Sequence, residues 1–184
     1  FSRVPVRTMA DLRKLKPWLW SLDQVLKIQL AAMGINVVPL PVEGSARAFD
    51  DGKVDSFVGL PSAALAFQWS AQARYVRDLR VGYLTGCMLV SRRAWDALSQ
   101  DDRQLIESAA AKLQARIQET TRQMDESLLS GLFAKKGLQT LPVTPGLQAE
   151  FARPAHDAQK LAEKLAPPET LEHITAWLAE YRSA

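Results

Sequence analysis

Cysteine is nearly absent from this 184-residue chain. Cys87 stands alone, so no internal disulfide can form, and the fold must rest on apolar packing. Cys87 lies in an apolar, strand-like run, which predicts a buried, inert thiol. Histidine is almost as scarce. His156 and His173 lie far apart in late helical segments, without the spacing of a zinc site. No apolar run approaches the ~20 residues of a membrane-spanning helix. Charge of one sign is not in excess either: 23 Lys and Arg face 20 Asp and Glu. The longest basic clusters are Arg92-Arg93 and Lys135-Lys136, too short for a nucleic-acid footprint. A glycine-rich phosphate loop is also missing, since Asp51-Gly52-Lys53 reads as a turn.

Together these absences argue against an enzyme. Catalysis needs a nucleophile with a base and an orienting group, or a metal set. The acid pairs Asp50-Asp51 and Asp101-Asp102 sit at a helix end and a helix start, where capping explains the second pair. No catalytic residue, metal or cofactor is therefore expected.

What is present is a 47% hydrophobic composition, enough for a real core. Short strand-like runs alternate with helical patterns through the first part of the chain. Thr8 caps a helix from Met9 to Leu15, and Lys16 to Trp20 follows as a strand with Pro17 awkward inside it. After Ser21, a plausible cap, Leu22, Val25, Leu26, Leu30 and Met33 share one helical face that Gly34 ends. Val37 to Leu40 and Val54 to Val58 read as strands around a helix from Gly44 to Asp51. Pro61 to Ser70 reads as a helix, and Tyr75 to Val81 and Cys87 to Ser91 as further strands. Such alternation predicts an α/β lobe with a mainly parallel sheet. Ligands on such sheets sit at the carboxyl ends of the strands, here near Trp20-Ser21, Pro41-Val42 and Gly59-Leu60.

Beyond this the pattern turns helical. Leu105, Ala109, Leu113, Ile117, Thr120, Met124 and Leu128 recur at spacings of three and four, predicting one long helix ended by Gly137. Its length exceeds one small lobe, so it should brace two bodies or carry a partner. A short extended piece from Leu138 to Val143 and helices from Pro145 to Lys164 and Pro168 to Tyr181 complete the chain.

Five tryptophans are generous for this length. Trp18 and Trp20 alternate on one strand and so share a face. With Phe57, Phe67 and Tyr83 they could line an apolar cleft, or form an aromatic core face. Trp95 and Trp177 lie in amphipathic helical patterns and should pack in a core.

Pro5-Val6-Arg7-Thr8-Met9-Ala10-Asp11-Leu12, followed by Leu15-Lys16, resembles a segment of the TRAP transporter solute receptors of the DctP type. Gly34 with Val38-Pro39-Leu40-Pro41, then Ala48-Phe49-Asp50-Asp51-Gly52-Lys53-Val54-Asp55, then Val90-Ser91-Arg92-Arg93-Ala94-Trp95-Asp96-Ala97-Leu98, continue the likeness in order. The resemblance implies a periplasmic-binding-protein-like fold with two α/β lobes, a solute between them and no catalysis. On this reading residues 1-84 are the second lobe, and 85-137 a crossover strand and long bridging helix. Residues 138-184 are a strand and helices packing on the lobes. Most of the first lobe is expected to be missing, and no signal peptide is present in the chain, which opens on Phe1. The implied location is periplasmic, and the implied partners are a small organic solute and TRAP membrane permease subunits.

Two departures bear on the solute. The family's Arg, which bridges a substrate carboxylate, is matched here by Trp18, and its Asn before a Pro by Leu60. Both anchor positions are apolar here, which points to a solute that is more hydrophobic than the usual small acids or that meets the protein differently. The solute-binding residues implied are Trp18, Trp20, Phe57, Gly59, Leu60, Pro61, Ser62 and Tyr83. A family branch with Trp in this strand pairs with an accessory helical-repeat protein, so such a partner is implied too. The competing reading is an interaction or dimerisation module with no small-molecule ligand, driven by an apolar stripe between Leu105 and Leu132.

Overall fold

The computed structural model describes the chain apart from residues 83, 85, 163, 164 and 184 and the side chains of 155–162. Thr8 opens the first helix, α1 (Met9–Lys14), through a reciprocal cap. Its hydroxyl accepts from the Asp11 N–H, while the Asp11 carboxylate accepts from the Thr8 N–H. Those main-chain donors, that of Arg7 first among them, hold the Asp11 carboxyl below its ordinary pKa.

Strands β1 (Pro17–Trp20), β2 (Val38–Leu40) and β3 (Ser56–Phe57) form a parallel sheet in the order β2-β1-β3. Helices α2 (Gln24–Ala32) and α3 (Val42–Asp50) supply the crossovers that parallel strands require. Asp23, rather than Ser21, caps α2, accepting from the Leu26 N–H at 2.9 Å. Helix α3 begins earlier than expected, directly after Pro41. Strands β4 (Tyr75–Arg77) and β5 (Gln139–Leu141) form a second parallel pair. The chain start joins the two: Ser2 bridges antiparallel to Ser56 on one side and to Tyr75 on the other. Central Pro17 is tolerated because it opens its strand.

Packing covers both faces of this layer. Trp18 and Phe57, neighbours in register, point into a cluster with Phe49, Trp69, Phe133 and Leu138. On the other side Met9, Leu30, Met33 and Ile35 meet Leu147 and Phe151 of α8 (Pro145–Ala162). Helix α2 therefore buries its C-terminal half, while Leu22 and Val25 at its start are exposed, against the expectation of one buried stripe.

The helix expected over Pro61 to Ser70 breaks in two. α4 (Pro61–Ala66) ends, Gln68 adopts a left-handed φ of 59°, and a 3₁₀ turn spans Trp69–Gln72. The break swings Trp69 into the core, where its indole N–H donates to Ser45 Oγ at 2.9 Å.

The strand expected over Cys87 to Ser91 does not form, and Cys87 is exposed rather than buried. Leu84, Met88, Leu89 and Val90 around it are exposed as well, and among the described residues 86–91 join no strand pair. After α5 (Arg92–Asp96), Ser99 caps α6 (Gln100–Ser127), 28 residues and roughly 42 Å long at 1.5 Å per residue. No residue of α6 is buried. A single π turn, Leu128–Leu132, re-phases the helix so that Leu128 and then Phe133 of α7 (Phe133–Lys135) enter the core. Gly137, at φ 86°, ends it as expected. Helix α9 (Pro168–Ser183) follows, with Trp177 exposed rather than packed in a core, its ring tilted against that of His173 at 5.9 Å. Trp95 is half-buried beneath the Arg103 guanidinium. His156 lies outside the described side chains.

Candidate functional site

The carboxyl edge of the β2-β1-β3 sheet is where a ligand site is expected, and three chain turns shape it. β1 ends at Trp20, and the Ser21 N–H donates to the Leu40 carbonyl at 3.2 Å, so the first two strand ends are tied together. β3 ends at Phe57, and Val58, Gly59 and Leu60 lead from it into α4. The crossover helices start at this edge.

The expected aromatic lining divides by depth. Trp18 is only 4% exposed, packed against Trp69 at 4.5 Å between ring centroids. Phe57 is equally buried, stacked on Phe1 at 4.7 Å and edge-on to Phe49 and Trp69. Neither belongs to the surface of the edge. Trp20, on the same strand face as Trp18 but one pleat further, is 45% exposed. Phe67 is exposed and stacks on Trp69 at 4.8 Å, so an aromatic run Phe67–Trp69–Trp18 leads from surface to core. Gly59 is exposed, and Leu60, Pro61 and Ser62 are half-buried. Tyr83 lies outside the described residues.

The polar groups of the edge are largely committed. The Ser62 N–H, at the start of α4, donates to the Asp125 carboxylate of α6 at 2.8 Å. Asp23 serves the start of α2 in the same way, and Glu43 lies in the first turn of α3. Carboxylates therefore already complement the positive ends of these helices. An exception lies deeper: the Trp18 indole N–H is buried with no acceptor. Among the described residues no group of three or more His, Cys, Asp or Glu side chains could hold a metal ion.

Sequence reasoning missed Trp69 as the centre of the aromatic run, Leu22 and Val25 as exposed surface, and Asp125 as the cap on α4. The Trp69 position depends on a left-handed turn at a Gln, which carries no sequence signal. Leu22 and Val25 fit a buried helical face by spacing alone. Asp125 is far from Ser62 in the chain.

No curated protein sequence matches significantly. Solved structures do match in fold. The periplasmic ectoine-binding protein of the TeaABC TRAP transporter from Halomonas elongata is 16% identical with a TM-score of 0.87, over 100% of this chain and 60% of that one. A TRAP periplasmic solute-binding protein from Desulfovibrio salexigens with bound orotic acid is 19% identical with a TM-score of 0.83, over 99% of this chain and 58% of that one. The Bordetella pertussis receptor DctP7, which binds pyroglutamic acid, is 20% identical with a TM-score of 0.79, over 96% and 58%. The chain thus spans about three-fifths of the length of these structures. Their fold is the α/β, periplasmic-binding-protein-like lobe with a long helix seen here. The model of the bacterial extracellular solute-binding proteins, family 7, matches residues 1–164. That family is one of solute-binding proteins rather than enzymes, and this chain belongs to it: it is a DctP-family protein.

Proposed function

We propose that the chain is the second-lobe part of a solute receptor for a TRAP-type secondary transporter, which captures a small hydrophobic organic solute between two lobes in the periplasm and delivers it to membrane permease subunits. The observation that carries the solute class is the apolar carboxyl edge, where Trp20, Leu22 and Val25, at and just after the end of β1, are exposed. Family membership supports the transport role, and the match to about three-fifths of longer receptors supports a further lobe facing this edge. In that arrangement Trp20, Gly59, Leu60, Pro61 and Ser62 contact the solute. Trp18 and Phe57 hold the platform from below. A carboxylate solute finds little help here: Trp18 brings no cation, and Asp125 already accepts from the Ser62 N–H. The solutes named for the three solved relatives, ectoine, orotic acid and pyroglutamic acid, all carry a carboxyl group, and the apolar edge supports a solute of a different class here. An accessory helical-repeat protein remains a proposed partner.

Calorimetric titration of the two-lobed receptor with its solute tests the site. Trp20→Ala should weaken binding by about tenfold or more, the loss of a stacked aromatic contact, without changing unfolding midpoint. Unchanged affinity would remove Trp20 from the site.

A second reading has its own observation. Leu105, Leu113, Ile117 and Met124 are exposed along α6, a surface that a second copy could cover. A dimer by light scattering, dissociated by Leu113→Glu, would favour an interaction module.

A further inference from the structure

A space continues inward from the solute edge. It is partly open, has a volume of about 120 Å³, and takes Phe57, Val58 and Gly59 of that edge into its wall. Leu79 and Val81, on the irregular segment after β4, belong to the wall as well. Ile35 and Leu147, both buried, close it on the inside. Among the described residues that line it, only Gly59 is exposed. The opening therefore lies at the turn from β3 into α4, beside the proposed solute contacts.

The wall favours a hydrocarbon group. Three of the four polar side chains described on it spend their donors elsewhere. Ser2 Oγ donates to the Val4 carbonyl at 2.7 Å, and Ser56 Oγ to the Asp55 carboxylate at 2.9 Å. The terminal nitrogens of Arg77 donate to the Pro142 and Val6 carbonyls. Tyr75 is the fourth. A polar group that entered would give up water for few new partners, whereas apolar carbon gains by leaving water. Size sets a second limit. An apolar cavity of ~150 Å³ takes benzene, so this smaller space excludes such a ring and fits roughly three or four saturated carbons.

Glycine suits the entrance. A Cβ at position 59 would lie 3.6 Å from Phe57 Cδ2, and the backbone there is not left-handed. A larger side chain would thus be accepted by the fold and would stand in the opening.

We propose that this space is a subsite of the solute edge that takes a short branched aliphatic group, isobutyl in size, entering past Gly59. The inference rests on the proposed solute edge and narrows its solute to a molecule with a slender aliphatic arm.

The probe is 2-methylpropan-1-ol, with cyclohexylmethanol as its bulkier counterpart. In the 184-residue chain, NMR should place the methyl groups of 2-methylpropan-1-ol against those of Val58, Leu79, Val81 and Leu147. Cyclohexylmethanol should give none of these contacts. Leu79→Phe, which fills the space, and Gly59→Leu, which covers its opening, should each abolish the contact to Leu147. Absent contacts, equal contacts from cyclohexylmethanol, or a Leu147 contact that survives both substitutions would each overturn the subsite. If either variant fails to fold, the two probes in the unmodified chain still decide it. The Trp20→Ala titration reads the edge independently. Weakened binding in Trp20→Ala without probe contacts would overturn the subsite alone, and probe contacts with unchanged binding in Trp20→Ala would overturn the edge.

Discussion

Two regions of this molecule use apolar residues in opposite ways. In the lobe, from the chain start to the 3₁₀ turn and again from Leu128 to Phe151, large apolar side chains are buried: Phe49, Phe57, Phe133 and Val54 are among those sealed from solvent. Along 84–127 and on α9 they are not. Leu89 is 86% exposed, and Leu105, Ile117 and Trp177 are more than half exposed. Composition separates the regions only in part: α6 is more charged than the lobe, yet it still carries Leu105, Ile106, Leu113, Ile117 and Met124. What differs is the number of elements available to pack on. The first region has a sheet with helices on both faces, whereas α6 touches the rest of the chain mainly at its C-terminal end, through Asp125 and the π turn. An amphipathic stripe thus shows that a partner surface exists for a helix, not that it belongs to the same folded unit.

The contrast can be broken first at its strongest point. Phe49→Ala or Phe133→Ala should cost about 3–5 kcal/mol in denaturant unfolding of the isolated chain. Leu113→Ala and Ile117→Ala on α6 should stay within about 0.5 kcal/mol. Comparable losses at both places would mean that α6 packs on the lobe after all. Once a second body covers α6, the Ile117→Ala cost should rise.

In the 184-residue chain taken by itself, the next effect in size comes from the Phe1 amino group. The Phe1 amino group donates to the Phe57 carbonyl at 3.0 Å, and burial lowers its pKa from 8.0 to about 6. Between these values the unfolded chain binds more protons than the folded one, so stability should increase as pH rises from 6 to 8. The gain should approach roughly 2–3 kcal/mol. Acetylating the amino group should remove this dependence. A flat stability profile in the unacetylated chain would place the terminus in solvent.

Smaller effects sharpen the comparison. Gln68→Gly relieves a left-handed backbone within the packed region and should stabilise the lobe by up to about 1 kcal/mol. Ser99→Ala removes the hydroxyl that accepts from the Asp102 N–H at the start of α6. A lost cap of this kind is worth ~1 kcal/mol, but no residue of α6 is buried, so the loss should appear as faster amide exchange in its first turn. Global unfolding should barely move. A matching drop in global stability would tie the start of α6 to the lobe.

Much of the lobe was legible in the sequence because periodicity and turn chemistry agreed there. Thr8 before α1, Gly34 after α2, Pro61 opening α4 and Gly137 ending the long helix each have a local physical cause, and each holds. Element ends were less legible: β3 is shorter than the apolar run containing it, since Val54 is buried without pairing in a strand. The segment around Cys87 has strand propensity but no neighbour, and a strand needs a ladder as well as β-branched residues. At the candidate edge, shared orientation of Trp18 and Trp20 was readable from strand alternation. Their different depths were not, because depth depends on Trp69 arriving from a distant turn to cover only the first of them.

The central claim is that a small apolar solute is held at the carboxyl edge of this lobe. Native mass spectrometry of the receptor purified from its own cells tests it most directly. The account predicts one co-purified, apolar-rich organic molecule per chain, lost in Trp20→Ala. A bound dicarboxylate retained by Trp20→Ala would contradict it.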